Sequence, residues 1–177
     1  MIIRTEKEAD YDRVRQVVDK AFGNQDEESA LVERIRQSDG FIPSLSLVAE
    51  SAEEGIAGHA LFSKASVVDG QRGVDVLVLA PIAISPSRQK QGIGTRLIDE
   101  GLKRSRELGF PGVLLIGHPG YYPRLGFRPA SAYGLVLKQF QVPDEVFMAI
   151  ELRENGLEAL RGGELRYPAS FGIQKDQ

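Results

Sequence analysis

A chain of 177 residues, 42% hydrophobic and 27% charged, has enough apolar material for one domain with a substantial core. A net charge of −3 argues against general nucleic-acid binding, and no apolar run approaches the roughly 20 residues that span a bilayer. The absence of cysteine excludes disulfides, thiolate metal sites and a cysteine nucleophile together, and His59 and His118 are the only histidines. The opening MIIRTEKEAD lacks the charge pattern of a signal peptide. These features describe a cytoplasmic protein with no metal, no membrane partner and no nucleic-acid partner.

In chain order, Met1 to Thr5 reads as a short strand. Glu8 to Phe22 reads as a helix with Tyr11, Val14, Val17, Val18 and Phe22 on one face, ended by Gly23. Asp26 to Gln37 reads as a second helix with Ala30, Leu31 and Ile35 as its apolar side. Ser44 to Glu50 and Ile56 to Val68 form an antiparallel pair around the Ala52–Gly55 turn, and Asp69-Gly70 signals the next turn. Gly73 to Ser85, GVDVLVLAPIAIS, is the most apolar strand and so the central one. Pro81 has no amide to donate to a ladder, so a bulge or splay is expected there. Ile93 to Leu108 is a helix with Leu97, Ile98, Leu102 and Leu108 inward, capped by Gly109. Gly112 to Gly117 is a buried strand, Gly120 to Leu125 a short helix or turn, and Val146 to Leu152 a late strand. The tail from Gly156 to Gln177 is weakly patterned. The whole makes one α/β layer domain.

The segment RQKQGIGTRLIDEGL, Arg88 to Leu102, places Gly92 and Gly94 at a helix start. The first turn of a helix leaves about four amides unpaired, and its dipole puts roughly half a positive charge there. Glycines without Cβ let a phosphate lie against that backbone, and Arg88, Lys90 and Arg96 add positive charge. The alternative is a loop that merely needs flexible glycines. No G-K-[ST] follows, so it is not a Walker loop, and no third glycine completes a dinucleotide fingerprint.

Gln89-Lys90-Gln91-Gly92-Ile93-Gly94 resembles the Q/R-x-x-G-x-G/A motif of the GCN5-related N-acetyltransferase (GNAT) superfamily. YYPRLGF, Tyr121 to Phe127, is similar to that family's Y-x-R-x-G-F segment. The two motifs fall in the right order, and the resemblance covers Ile2 to Leu152. The end VFMAIEL…GGELRYPASF is similar to a bacterial subgroup, the YhbS-like proteins. The resemblance implies a single domain over 1–177, with a core at about 2–152 and an extension over 153–177. Its fold would be a mixed, mostly antiparallel sheet with helices on both faces and a splay between the two central strands. It implies that the anion is the pyrophosphate of acetyl-CoA, cradled by the amides of Gln89, Lys90, Gln91, Gly92, Ile93, Gly94 and Thr95. The backbone of Ile82, Ala83 and Ile84 would take the pantetheine arm.

The implied reaction moves an acetyl group from the sulfur of acetyl-CoA to a primary amine, by direct attack in a ternary complex. Tyr122 matches the position that supplies the general acid for the departing thiolate. The alternative is that Tyr121 and Tyr122 are packing aromatics. Arg124 and Phe127 read as structural. Counting back from Ile84 to the family's base positions reaches Val78 and Ala80, neither of which takes a proton. Asp75 and Glu50 lie on strands, and His118 precedes the tyrosine motif. His118 reads more readily as a capping or pantetheine-side residue, and His59 as a core histidine. The base is left to another group or to water. The acceptor is a small-molecule or peptide amine, and the protein a monomer or homodimer. The Asp26–Gln37 helix would border the acceptor, and QDEE, Gln25 to Glu28, reads either as an attractor of a cationic amine or as an acidic first turn. Two other functions stay open: a non-catalytic acyl-CoA sensor of the same fold, and a nucleotide-binding module.

Overall fold

The computed structural model describes residues 1–172. Its strands pair in the order β1-β2-β3-β4-β5-β8-β6, with β9 beside β3 and β7. They are β1 (Ile2–Thr5), β2 (Ser46–Ser51), β3 (Gly55–Asp69), β4 (Arg72–Ile84), β5 (Gly112–Ile116), β6 (Arg128–Pro129), β7 (Val136–Leu137), β8 (Phe147–Glu151) and β9 (Glu164–Arg166). The pairs β1–β2, β2–β3, β3–β9, β5–β8 and β6–β8 are antiparallel. The pairs β4–β5 and β7–β9 are parallel. The helices are α1 (Tyr11–Ala21), α2 (Glu27–Arg36) and α3 (Ile93–Glu107). This is the mixed, mostly antiparallel sheet anticipated above. The apolar strand, β4, is central in the pairing order.

The chain divides into two compact units, and β3 and β4 run through both. One comprises Met1–Ser63 and Leu79–Arg104, the other Lys64–Val78 and Ser105 onward. In the first unit, Val14, Val17 and Val18 of α1 pack on Val48, Ile56 and Ala83. Val48 lies opposite His59 in the β2–β3 register, so this is one face of the sheet. Gly58, the neighbour of His59, points to the other face. A Cβ there would press on Ile84, Ile93 and Leu97, so the absent side chain lets α3 approach β3 closely. Helices therefore cover both faces. In the second unit, Val78, Leu114, Phe147 and Ala149 from the strands close a core with Tyr133, Leu135, Leu157 and Leu165.

Two expected inward residues do not pack. Phe22 is 39% exposed and Leu108 is 51% exposed. Each lies one residue past its helix, where the chain has left the helical path and the 3.6-residue periodicity no longer aims the side chain inward. Gly109, at φ +87°, turns the chain after α3. On α2 the buried face is Leu31, Val32 and Ile35, with Ala30 only half-buried. The late segment carries three strands that the sequence pattern did not show: β6 and β7 of two residues and β9 of three. Elements that short contain no repeat for an alternation to reveal. Part of the expected extension, residues 173–177, lies outside the described residues.

Candidate functional site

The β4–β5 ladder pairs Leu77 with Val113 and Val78 with Leu114. The ladder thus ends three residues before Pro81, which has no amide to extend it. The strand then carries Ile82, Ala83 and Ile84 to the loop. Ala83 turns its methyl into the α1 cluster, while Ile84 reaches the Gly58 side. The side chains of Ala83 and Ile84 are thus engaged with the core, and what these two residues can offer a ligand is backbone.

A 3₁₀ turn at Pro86–Arg88 leads into the glycine segment. Lys90 and Gly92 both have left-handed backbone, at φ +63° and +82°. Glycine adopts this region at no steric cost, and at Gly92 a Cβ would meet no protein atom within 4 Å. The glycine is therefore required by backbone geometry, and the space beside it is open. The Arg96 amide donates to the Gly92 carbonyl at 3.1 Å, which starts α3. The amides of Ile93 and Gly94 belong to its first turn.

The three expected cations separate on inspection. Arg88 donates to Glu54 Oε2 at 2.9 Å and to Gln91 Oε1 at 3.1 Å, pinning the loop to the β2–β3 turn. Arg96 donates to the Met1 carbonyl at 3.1 Å. Lys90 has no hydrogen-bond or ion-pair partner among the described residues and is exposed. Gln89 Nε2 donates to the Ile84 carbonyl at 3.4 Å, tying the loop to the strand. Ile82, Ala83, Ile84 and Gln89 to Thr95 all belong to the first unit.

Tyr122 belongs to the second unit, at the start of the 3₁₀ turn Tyr122–Leu125. It is buried, with edge-on contacts to Tyr121 at 5.1 Å and Phe127 at 5.7 Å between ring centroids. The absent side chain of Gly117 leaves room for its ring. Its hydroxyl donates no hydrogen bond among the described residues. Burial, and secondarily Tyr121, push its pKa up to about 12. Phe127 is core, and Arg124 is exposed.

The candidate bases are mostly accounted for otherwise. Val78 is fully buried. Glu50 accepts from Arg4 at 3.0 Å, and that bond holds its carboxyl below the usual range, which weakens it as a base. Asp75 is exposed on β4. His118 Nδ1 accepts the Gly120 amide at 3.0 Å, the local bond of a capping residue. Glu28, in the first turn of α2, has its carboxyl pKa raised, first by burial and then by Glu27.

His59 is fully buried in a polar cluster that sequence reading did not assemble. Glu6, with 1% of its side chain exposed, accepts from Arg36 Nη2 at 2.6 Å and Nε at 3.2 Å. Ser46 Oγ donates to Glu6 Oε1 at 2.8 Å and lies 3.1 Å from His59 Nε2. With its hydroxyl proton on Glu6, Ser46 can accept from Nε2–H, which makes His59 the neutral Nε2–H tautomer. Desolvation lowers the His59 pKa to about 4. The members lie at positions 6, 36, 46 and 59, and no local spacing links them.

Residues 2–130 match the model of the acetyltransferase (GNAT) domain. The chain belongs to the GNAT family. Its GNAT relatives include two Escherichia coli proteins described as uncharacterized N-acetyltransferases. YjhQ is 33% identical over 137 residues, 77% of this chain and 75% of YjhQ. YhbS is 30% identical over 164 residues, 92% of this chain and 93% of YhbS. The crystal structure of E. coli YhbS in complex with CoA superposes at TM-score 0.86, with 26% identity, covering 97% of this chain and 91% of that one. A GNAT acetyltransferase from Brucella melitensis in complex with acetyl-CoA gives 0.76, with 29% identity, covering 96% and 97%. The protein is thus a YhbS-like GNAT acetyltransferase. Among the described residues no helix is long and apolar enough to cross a membrane, and no cluster of three His, Asp or Glu is placed to hold a metal ion.

Proposed function

We propose that this GNAT protein transfers the acetyl group of acetyl-CoA to a primary amine by direct attack within a ternary complex. The observation that carries this reading is Gly92. It sits in left-handed backbone beside open space, at the start of α3 and directly after a strand whose ladder has ended. That combination suits a pyrophosphate against the amides of Gln89 to Thr95, with Lys90 as its cation. The backbone of Ile82, Ala83 and Ile84 then receives the pantetheine arm. CoA and acetyl-CoA bound to the E. coli and Brucella proteins support the donor. The cysteine-free composition supports a cytoplasmic setting.

The amine attacks as the neutral base. Its nitrogen forms the bond to the carbonyl carbon, the carbon–sulfur bond breaks, and the ammonium proton is lost to solvent. Tyr122 donates toward the departing sulfur. Without cysteine there is no thioester enzyme intermediate, so initial-rate plots should intersect. Parallel plots, with an acetylated protein isolated in the absence of acceptor, would point instead to a Ser or His nucleophile.

The test is paired. Acetyl-CoA at about 100 times its Kd should add roughly 2.7 kcal/mol to the folded state and raise Tm. Gly92→Val should remove that shift, because a β-branched residue disfavours left-handed backbone and its methyls would enter the phosphate's space. A folded variant with the full shift would refute the loop assignment. Thiol release across amines, peptides and aminoglycosides then reads turnover. The side chains of Val78 and Ala80 favour one rival, an acyl-CoA sensor, which would bind and never turn over. Binding of ATP as tight as that of CoA would favour a nucleotide module.

A further inference from the structure

Strand β5 ends at Ile116, and the turn that follows it delivers Tyr122. The turn is anchored at its start, where the Gly117 amide donates to the Val146 carbonyl at 2.9 Å. The Tyr121 amide donates to the His118 carbonyl at 3.1 Å and closes a β-turn over Pro119 and Gly120. The Tyr122 amide reaches the same carbonyl at 3.5 Å. Gly120 is not left-handed, which excludes a type II turn. In the common type I turn the first position favours Asp, Asn or Ser, whose short side chains can accept the amide two residues on. His118 holds that first position and does the same with a ring, Nδ1 accepting the Gly120 amide at 3.0 Å. A Cβ at Gly120 would come 3.1 Å from that Nδ1 and from Cε1, so the glycine lets the ring fold over its amide.

This bond bears on Tyr122 because the phenol hydroxyl donates no hydrogen bond among the described residues. Its direction follows that of the ring. The ring is set partly by its edge-on neighbours Tyr121 and Phe127, and Tyr121 itself closes the turn. A Cβ at Gly117 would strike the Tyr122 ring, so the ring lies against the start of the same turn. A shift of the turn is therefore a shift of the phenol. A displacement of about 1 Å at a reacting group can cost as much as 10²-fold in rate.

We infer that His118 is a positioning residue: by holding the Gly120 amide it fixes the turn that aims the Tyr122 hydroxyl at the departing sulfur. This role rests on the proposed part of Tyr122 in acetyl transfer. It asks of the histidine a fixed acceptor and no proton transfer. An asparagine can supply such an acceptor, and a leucine cannot.

Thiol release with an amine acceptor reads the effect. His118→Leu should lower kcat about three- to tenfold, the worth of one ordinary hydrogen bond, and leave KM for acetyl-CoA unchanged. His118→Asn should return kcat to within about twofold of wild type, since Oδ1 accepts the same amide without adding charge. In a Tyr122→Phe background His118→Leu should cost nothing further, because the group it positions is gone. Hydrogen exchange of the Gly120 amide, measured without substrate, should quicken about three- to tenfold in His118→Leu and stay as in wild type in His118→Asn. The positioning role is refuted if His118→Leu keeps wild-type kcat while Tyr122→Phe is slow, or if His118→Asn is as slow as His118→Leu. It is also refuted if the losses of His118→Leu and Tyr122→Phe multiply, the mark of a group that meets the substrate itself, or if Gly120 exchange is the same in all three proteins. Wild-type kcat in Tyr122→Phe would instead overturn the part given to Tyr122, and the task of His118 with it.

Discussion

Replacing Tyr122 by Phe removes one proton and one oxygen from a buried ring and tests how the thiolate leaves. The phenol pKa is pushed up to about 12. A thiol ordinarily has a pKa near 8.5, so complete transfer from phenol to thiolate runs uphill by roughly 3.5 units, or ~5 kcal/mol at ~1.36 kcal/mol per unit. In the proposed transfer Tyr122 would therefore act by donating a hydrogen bond as charge builds on sulfur, with solvent protonating the thiolate afterwards. Loss of one such donor costs about 10²–10³-fold in kcat. The loss should appear equally in kcat/KM, because the bond strengthens only as charge develops. The hydroxyl donates no hydrogen bond among the described residues, so stability should stay within about 0.5 kcal/mol. Thiol release between pH 6 and 10 is the assay, with Tyr121→Phe as the control of small effect. Because the phenol stays protonated throughout this range, wild type and Tyr122→Phe should show pH profiles of the same shape. A wild-type basic limb near pH 9 that the variant abolishes would refute the raised pKa. Wild-type kcat in the variant would show that the ring pair is packing alone.

Lys90→Gln should raise KM for acetyl-CoA by about 5–10-fold and leave kcat unchanged, the signature of a binding contact felt equally in ground and transition states; an unchanged KM would remove Lys90 from the site. His59, neutral in the fold with a pKa of about 4 against 6.5 when solvated, contributes stability that is fully present above pH 6.5. Below that the unfolded chain binds the proton that the fold refuses, so stability is lost as pH falls from 6.5 toward 4, by an amount on the order of 3 kcal/mol. Urea titrations at pH 7, 5.5 and 4.5 should show that slope, and His59→Gln should flatten it; an identical slope in the variant would place the titration elsewhere. Glu6→Ala leaves the Arg36 charge without its buried partner and should cost about 3–5 kcal/mol of stability, read from the urea midpoint at pH 7.

The periodic parts of the fold were readable because burial repeats with the geometry of the element. Val14, Val17 and Val18 announce α1, and the apolar run from Val76 to Ile84 announces a central strand. Legibility failed at boundaries and in the late segment. Phe22 and Leu108 continue the apolar pattern one residue beyond the backbone that gives the pattern meaning. Strands β6, β7 and β9 are held by partners distant in the chain, such as Val67 opposite Leu165, and their own few residues carry no period. At the site, Gly92 was readable because positive φ leaves a residue-type signature. The division of labour among Arg88, Lys90 and Arg96 was not. It depends on Glu54 and the Met1 carbonyl, which the fold brings to the loop from elsewhere in the chain.

The same distinction bears on the missing base. A histidine in a sequence is an offer of acid–base chemistry, but the fold decides whether it is taken up. His59 is sealed with its Nε2 at Ser46, and the desolvation that lowers its pKa also removes it from any exchange with solvent. His118 uses Nδ1 on the Gly120 amide, a bond that shapes the turn leading to Tyr122. Glu50, drawn down by Arg4, holds its proton more weakly than an ordinary carboxylate and is a poor base near neutrality. Each of these groups is occupied with holding the chain in place. In the proposed amine transfer, with none of these three groups free to act as base, the acceptor's own basicity sets how much of it is ready to attack. An α-amine with a pKa near 8 presents about a tenth of its molecules in the neutral form at pH 7, while a lysine side chain near 10.4 presents less than about a thousandth. Under that proposal the protein would discriminate among amines by their own basicity before any pocket contact is made, and acceptors of low pKa would be favoured.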